Sequence, residues 1–174
     1  LVSLSIIYYA GYAGINGVTL TRKRYIAVIA GAAALYTCFV SFCMVTRYLS
    51  YGSPNFDMGL FSQMFYYMKT TGTMNTTSER DYLLSHMSHM CVHISPVFYL
   101  ILPVYMLFSS PVTLEIIQPL LIASAVVPLA LICRSRKLSR WETLLIIIIY
   151  SFYPVISGGC FYDIHENMFF PLFL

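Results

Sequence analysis

Charged residues are what this sequence has least of. Of its 174 residues, 10 are Lys or Arg and 7 are Asp or Glu, together 10% of the chain, whereas a soluble domain carries about 25%. This shortage excludes an ordinary soluble domain, which needs charge to cover its surface. Because 59% of the residues are hydrophobic, the chain is also too apolar to be disordered. A net charge of +3 is too weak for a nucleic-acid-binding protein. A membrane protein is the class that remains.

Cysteine pairs of the metal-binding type are absent as well. The chain has five Cys, and no two of them have the Cys-x-x-Cys spacing that is typical of zinc sites. No repeat of about 20 to 50 residues and no low-complexity tract is visible.

Long runs without charge indicate the membrane-spanning helices. Residues 25–46 form a charge-free run of 22 residues that ends at Arg47, and a helix of this length matches the roughly 30 Å hydrocarbon core of a bilayer. Residues 112–133 and 143–162 are predicted to form two further transmembrane helices. We therefore predict an all-α fold, a polytopic transmembrane helical protein.

Two basic clusters predict the orientation of these helices. Residues 22–24 and 134–140 hold seven of the ten basic residues, and by the positive-inside rule both clusters lie in the cytoplasm. Residues 47–95 then form a long first extracytoplasmic loop, and residues 163–174 form an outer motif followed by a truncated next helix. The predicted location is the plasma membrane, with several membrane passes.

Two segments leave the number of crossings open. Residues 96–109 are apolar but short, and they contain Pro96 and Pro103. We interpret them as a re-entrant or interfacial helix on the outer side, because a crossing there would place residues 134–140 outside. Residues 1–24 are interpreted as a partial helix followed by a basic cytoplasmic segment, although 20 uncharged residues are just long enough to cross. Both chain ends lie in apolar runs, so a fragment of a larger protein is expected.

The outer loop is predicted to contain short amphipathic helices. The first follows Asn55 and has an apolar stripe suited to the membrane interface, formed by Phe56, Leu60, Phe61, Met64, Phe65 and Met68. Ser78 and Asp81 have the spacing of a capping box, which predicts a second short helix running to about Val92. His86, His89 and His93 would share one face of that helix.

Polar chemistry is concentrated on this outer side. Asp57 is the first candidate catalytic residue, since a carboxylate beside an amphipathic helix can take a proton from a hydroxyl; a carboxylate in the first turn of a helix also simply complements the helix dipole. His86, His89 and His93 are weak candidates for metal ligands, and a polar interfacial face is the alternative. Two acids and a histidine follow the third predicted span, namely Asp163, His165 and Glu166. Three cations on the same side are available for an anionic group, namely Arg47, Lys69 and Arg80.

Four motifs in these regions resemble those of one protein family. They are Phe56-Asp57-Met58-Gly59-Leu60-Phe61-Ser62-Gln63, His93-Ile94-Ser95-Pro96, Ser110-Pro111-Val112-Thr113-Leu114 with Gln118, and Tyr162-Asp163-Ile164-His165-Glu166. In this order they resemble domain-of-unknown-function family 2079, a family of polytopic membrane proteins. The resemblance covers roughly residues 50–170 and corresponds to the N-terminal part of such a protein.

This family is grouped with the C-fold integral-membrane glycosyltransferases, and the grouping implies an activity. It implies a polyprenyl-phosphate-linked sugar as donor and a catalytic carboxylate in the first outer loop, where Asp57 stands. The residues expected to bind substrate are Gln63, Arg80, His93, Asp163, His165 and Glu166. A divalent cation is the one cofactor considered, and membrane lipid is the expected partner. Because the family has no settled activity, the role of Asp57 is an analogy at superfamily level.

A non-enzymatic membrane protein is the alternative of a different class. It would be a transporter, or a scaffold whose outer histidines and acids bind a metal or a partner. A transporter is expected to place paired ionisable residues near the middle of its helices, and residues 25–46 and 143–162 have none. Whether the chain is an enzyme is left open by the sequence.

Overall fold

The computed structural model describes residues 20–53, 55–80 and 88–169. Within these ranges the protein is helical and has no strands; an isolated bridge pairs Asn75 with Ser88. The α-helices are α1 Arg22–Leu49, α2 Asn55–Thr71, α3 Thr77–Arg80, α4 Val97–Leu107, α5 Pro111–Ser124, α6 Val126–Ser135, α7 Arg140–Ser151 and α8 Pro154–Cys160, with 3₁₀ turns at His89–Cys91 and Glu166–Phe169. The all-α prediction is confirmed for the described residues.

Helix α1 is the longest element and contains the first predicted span. It begins one residue after Thr21, whose side chain accepts a hydrogen bond from the Arg24 amide. It ends in a left-handed turn at Tyr51, with a φ of 58°, where the Gly52 amide donates to the carbonyl of Arg47 over 2.8 Å. At 28 residues it exceeds the predicted range of 25–46, because basic residues complete its first turn.

Helices α5 and α6 form the second long apolar element, interrupted at Ala125. Pro128 lacks the amide hydrogen that would bond to the carbonyl of Ser124, which explains a break in this turn. Two of the described helical segments are long and apolar enough to cross a membrane: α1, and Pro111–Ser135, which comprises α5 and α6. α1 packs mainly against α5, while its other faces leave large apolar side chains such as Leu35 and Phe42 exposed.

The predicted span 143–162 is not one continuous helix. α7 ends at Ser151 and α8 begins at Pro154, since a residue before proline is disfavoured in helical conformation and proline is well suited to start a helix. The beginning of α7 is stabilised by a capping box between Ser139 and Glu142.

The apolar stripe of α2 faces the protein interior and not, as predicted, the membrane interface. Phe61, Met64, Phe65 and Met68 are at most 3% exposed and form one core with residues of α4 and α5. Phe56, the first residue of the predicted stripe, is 59% exposed. The stripe is buried because α4 returns along α2 and covers it.

The histidine segment does not form the predicted regular helix in its described part. α3 begins at Thr77, with Thr76 accepting a hydrogen bond from the Glu79 amide, so the helix starts earlier than the Ser78 capping pattern predicts. Ser88 pairs with Asn75 in the bridge, and His89–Cys91 is a 3₁₀ turn. His86 lies outside the described residues.

Basic and acidic side chains lie at opposite ends of α1. Arg22, Arg134 and Arg140 line one cavity beside its beginning, so the two basic clusters meet at one end of the molecule, here called the basic end. Near the other end Arg47 lies beside Asp163, and we call this the acidic end. Arg47 lies 25 positions after Arg22, which corresponds to about 37 Å along the helix.

Candidate functional site

Asp57 and Tyr162 form the accessible part of the acidic end. The first turn of α2 holds Asp57, where the helix dipole favours a carboxylate. The hydroxyl of Tyr162 donates a hydrogen bond of 2.6 Å to Oδ2 of Asp57. This hydrogen bond, followed by the charge of Asp57, raises the pKa of Tyr162. Tyr162 therefore remains protonated and acts as the donor, while the half-buried Asp57 remains the acceptor.

Behind this pair, Asp163 is fully buried. Its Oδ1 lies 3.6 Å from Nη2 of Arg47, and the Ser53 side chain and the Met58 amide are the other groups that favour its ionised form. Burial raises the pKa of Asp163 above its usual value, and the charge of Arg47 opposes this increase. Arg47 also donates to the carbonyls of Gly52 and Phe161, so its guanidinium is held in place by the protein's own backbone.

A buried glutamine of α5 fixes the segment that carries Asp163. Gln118 is 1% exposed. Its Oε1 accepts a hydrogen bond of 2.8 Å from the amide of His165, and its Nε2 donates to the carbonyl of Asp163 over 3.5 Å. Both backbone groups of this turn are thereby satisfied by a single side chain, which sets the positions of Asp163 and His165.

A second cluster, here called the histidine–glutamate cluster, lies next to this segment and consists of Glu79, His89, His93, His165 and Glu166. Glu79 and His89 are buried, and Nδ1 of His89 lies 2.7 Å from Oε1 of Glu79. The three histidines surround Glu166 with nitrogen–oxygen distances of 4.0 Å from His89, 3.6 Å from His93 and 3.4 Å from His165. Thr76 donates to Oε2 of Glu79, which completes the support of that carboxylate.

The electrostatics of this cluster favour a charged His89. Burial opposes the protonated ring, but the nearby carboxylates of Glu166 and Glu79 prevail and raise the pKa of His89. For Glu166, burial opposes ionisation, while the interaction with His89 and further backbone and histidine contacts hold the pKa below its ordinary value. The two carboxylates of Glu79 and Glu166 therefore stabilise the protonated form of the His89 ring that lies between them.

Aromatic rings separate this network from the rest of the core. The ring of Phe61 lies 5.3 Å from that of His89 and 5.9 Å from that of His165, measured between centroids. Phe98 contacts both Phe61 and His89. These apolar walls lower the local polarity, and this strengthens the interaction between His89 and its carboxylates.

The metal site considered for His86, His89 and His93 stays a prediction, and the described part of the structure gives it no support. In the ranges that the structure covers, no three His, Cys, Asp or Glu side chains are placed so that they could hold a metal ion. One ring nitrogen of His89 is already engaged by Glu79, and His86 lies outside these ranges. The donor set therefore does not fit a divalent cation as placed, and no chemical step is assigned to one.

The other predicted substrate-binding residues have different surroundings. Oε1 of Gln63 accepts hydrogen bonds from the amide and hydroxyl of Thr77, so this side chain fixes the start of α3. Lys69 bonds to Ser109 and stands 12 residues after Asp57 in α2, a separation of about 18 Å along the helix. Arg80 is the last residue of α3, and the structure does not describe its side chain. The substrate-binding roles of Gln63 and Arg80 stay predictions.

Residues from all four sequence motifs meet at this site. Asp57 belongs to the first motif, His93 to the second, Gln118 to the third, and Asp163, His165 and Glu166 to the last. A family model described as "Predicted membrane protein (DUF2079)" matches residues 47–174. The chain belongs to the DUF2079 family. It is a membrane protein of that family with two described helices able to cross a bilayer, and no curated protein and no solved structure matches it.

Two residues of the site were not singled out as site residues from the sequence. Tyr162 contacts Asp57, and Glu79 contacts His89. Each contact joins two different segments of the chain, and sequence periodicity relates only residues within one helix. Tyr162 precedes the predicted Asp163 directly, so its place in the same motif was the available signal. Glu79 had the weaker signal of an acid in the first turn of a short helix.

Proposed function

We propose that this DUF2079 protein is a multi-pass glycosyltransferase-like enzyme of the plasma membrane. It transfers a sugar from a polyprenyl-phosphate donor at the outer membrane face, and Asp57 acts as the base. The observation that carries the proposal is the environment of Asp57: a half-buried carboxylate, oriented by the Tyr162 hydroxyl, at the end of the molecule opposite the basic end. In this proposal the other carboxylate oxygen, Oδ1, receives the acceptor hydroxyl.

The chemistry requires a proton acceptor and a path for the leaving group. Asp57 takes the proton of the acceptor hydroxyl, and the hydroxyl oxygen forms a bond to the anomeric carbon of the sugar. The bond between that carbon and the phosphate oxygen breaks, and the polyprenyl phosphate leaves with the electron pair. Asp57 then releases its proton to water.

The surroundings assign different roles to the remaining residues. His93 and His165 have side chains that are 49% and 28% exposed, so they are the members of the cluster available to sugar hydroxyls. Asp163 and Glu166 are buried and act by holding Arg47 and the histidines in place. Of the three cations considered for the departing phosphate, Arg80 is retained, because Arg47 is engaged by backbone carbonyls and Lys69 is distant from Asp57.

Replacing Asp57 by Asn in the full-length protein tests this function. Transfer of radiolabelled sugar from a polyprenyl-phosphate donor is measured in membranes, and we expect a decrease of about 100-fold or more, since general-base catalysis contributes about 10² to 10⁴. Glu142→Gln is the control, because Glu142 caps α7 near the basic end; it should transfer at the rate of the parent. Equal rates for Asp57→Asn and parent would remove Asp57 from the mechanism.

One observation favours a non-enzymatic transporter as the second candidate. Glu115 lies in the candidate span Pro111–Ser135 and is 1% exposed, and buried ionisable residues in spans are characteristic of transport proteins. It lies within electrostatic range of Asp163 and Arg47. Proton-coupled uptake into vesicles that is abolished by Glu115→Gln, together with absent sugar transfer, would favour this candidate.

A further inference from the structure

A cavity of about 780 Å³ lies at the basic end, far from the site described above. Its walls come from the first half of α1, from the end of α5 and from α6. Most of the lining is apolar, and several lining residues are alanines that leave the cleft open: Ala30, Ala33, Ala123 and Ala130. An apolar cleft of this volume between two helices able to cross a bilayer is suited to an acyl chain.

Three arginines from three different elements surround the same cavity. Arg22 begins α1, Arg134 lies in the last turn of α6, and Arg140 begins α7. Arg140 donates to the carbonyl of Leu20. Among the described residues Arg22 and Arg134 form neither a hydrogen bond through their side chains nor an ion pair. Guanidinium groups in this arrangement are suited to a phosphate, which they bind through paired hydrogen bonds.

Among the residues that the structure describes, no acid forms an ion pair with the basic residues of this end. Seven basic residues belong to the two basic clusters, and the one acid close to them in sequence is Glu142. Its Oε2 accepts a hydrogen bond of 2.7 Å from the Ser139 amide in the capping box, so it is engaged as a helix cap. A ligand with both an anionic group and an apolar chain therefore complements this cavity better than a ligand with only one of the two.

We propose that the cavity binds an anionic membrane phospholipid. Its phosphodiester group contacts Arg22 and Arg134 at the mouth, and an acyl chain lies against the alanine-lined walls of α1 and α6. The positive-inside rule places the basic end in the cytoplasmic leaflet, where anionic lipids attract basic segments. The site is independent of the proposed sugar transfer and would be present in a transporter as well.

Lipid binding to the full-length protein tests the proposal with two matched double variants. Arg22→Gln/Arg134→Gln removes two charges that line the cavity, whereas Lys23→Gln/Arg136→Gln removes two charges of the same clusters that do not. Native mass spectrometry after delipidation measures binding of phosphatidylglycerol and phosphatidylcholine. We expect the parent and the Lys23/Arg136 variant to prefer phosphatidylglycerol, and the Arg22/Arg134 variant to bind it at least about tenfold more weakly.

A cavity-filling variant tests the acyl-chain part without changing charge. Ala130→Phe places a large ring in the cleft and should reduce phosphatidylglycerol binding, while Ala34→Phe, which does not line the cavity, should leave it unchanged. Equal weakening by both double variants would show diffuse electrostatic attraction and overturn the proposal. So would equal binding of the two lipids by the parent, no effect of Ala130→Phe, or binding of polyprenyl phosphate with none of phosphatidylglycerol.

Discussion

Tyr162 and Asp57 are 105 residues apart in the chain, and their side chains meet through a hydrogen bond of 2.6 Å. In the proposed reaction this hydrogen bond has two consequences. It leaves the second oxygen of Asp57 for the acceptor hydroxyl, and it fixes the plane of the carboxylate. Tyr162 is therefore a positioning residue, which acts through Asp57.

Replacing Tyr162 by Phe should lower the rate of sugar transfer about tenfold, and less than Asp57→Asn does. The estimate follows from a hydrogen bond to a charged group, worth about 1.5 kcal/mol or more, which corresponds to roughly one order of magnitude in rate. The measurement is kcat and KM for the lipid-linked donor. Because orientation of the base affects the chemical step, kcat should decrease while KM stays close to that of the parent. A change in KM alone would indicate a binding role instead.

The raised pKa of His89 predicts that the stability of the protein depends on pH. Because this pKa lies above 6.5 in the folded protein, the stabilisation by the charged ring is complete below pH 6.5. It is lost as the pH rises through the pKa of His89 in the folded protein. The pKa of Glu166 is lowered below 4.5, so its contribution is present above pH 4.5 and is lost as the pH falls. The network formed with Glu79, His93 and His165 should therefore be strongest between these two values.

The variant His89→Gln measures this contribution in detergent. At pH 5.5 the free energy of unfolding should decrease by about 3 kcal/mol, because a buried carboxylate loses its charged partner, and the difference from the parent should shrink as the pH rises above 6.5. His93→Gln is the comparison: His93 is half exposed and lies 3.6 Å from Glu166, so its effect should be smaller. A difference for His89→Gln that does not vary from pH 5 to pH 9 would contradict the charged network.

At the scale of elements, α5 and the segment after α8 are joined by Gln118. Replacing Gln118 by Leu removes two hydrogen bonds to buried backbone groups, which should cost about 1 to 3 kcal/mol. Gln118→Glu keeps an acceptor for the His165 amide and should cost less in thermal unfolding measurements, provided that the new carboxyl is protonated. If the Leu variant were as stable as the parent, the Gln118 contacts would not hold the site segment.

The elements that could be predicted are those with a local signal. The charge-free run after Arg24 predicts α1, and Ser110 before Pro111 predicts the start of α5, where its side chain accepts a hydrogen bond from the Val112 amide. The interruptions at Ala125 and Phe152 were missed, although Pro128 and Pro154 indicate them. A run of apolar residues indicates a segment that can lie in the membrane, but it does not show whether the helix is interrupted at a proline.

The site could be predicted only as a set of residues. Asp57, His93, Asp163, His165 and Glu166 were all named from composition, motif and the resemblance, and the structure brings them to one end of the molecule. Their pairing could not be inferred, because the bridge between Asn75 and Ser88 and the hydrogen bond from the His165 amide to Gln118 join separate segments. For the same reason the three histidines were expected on one helical face, whereas His89 lies in a 3₁₀ turn.

At the scale of the whole molecule, the separation of charge along α1 is the main organising feature. The basic end carries seven of the ten Lys and Arg residues, and the acidic end carries Asp57, Asp163 and the histidine–glutamate cluster. Between them lie two helices able to cross a bilayer. A membrane that keeps basic segments in the cytoplasm would place the candidate site outside, on the side where the proposed sugar transfer takes place.

The central claim is that the candidate site and the basic end lie on opposite sides of the membrane, and cysteine labelling tests it most directly. Cys91 is free and exposed near the histidine–glutamate cluster, and Arg136 is exposed at the basic end. Two full-length variants are compared in intact cells: one keeps Cys91 as its single cysteine, and the other carries Arg136→Cys alone.

A membrane-impermeant maleimide should label Cys91 in intact cells and should label the Arg136→Cys variant only after the cells are permeabilised. Denatured samples, in which both cysteines react, provide the control for expression and thiol reactivity. Labelling of both variants in intact cells, or of the Arg136→Cys variant alone, would contradict the two-sided arrangement and with it the outer location of Asp57.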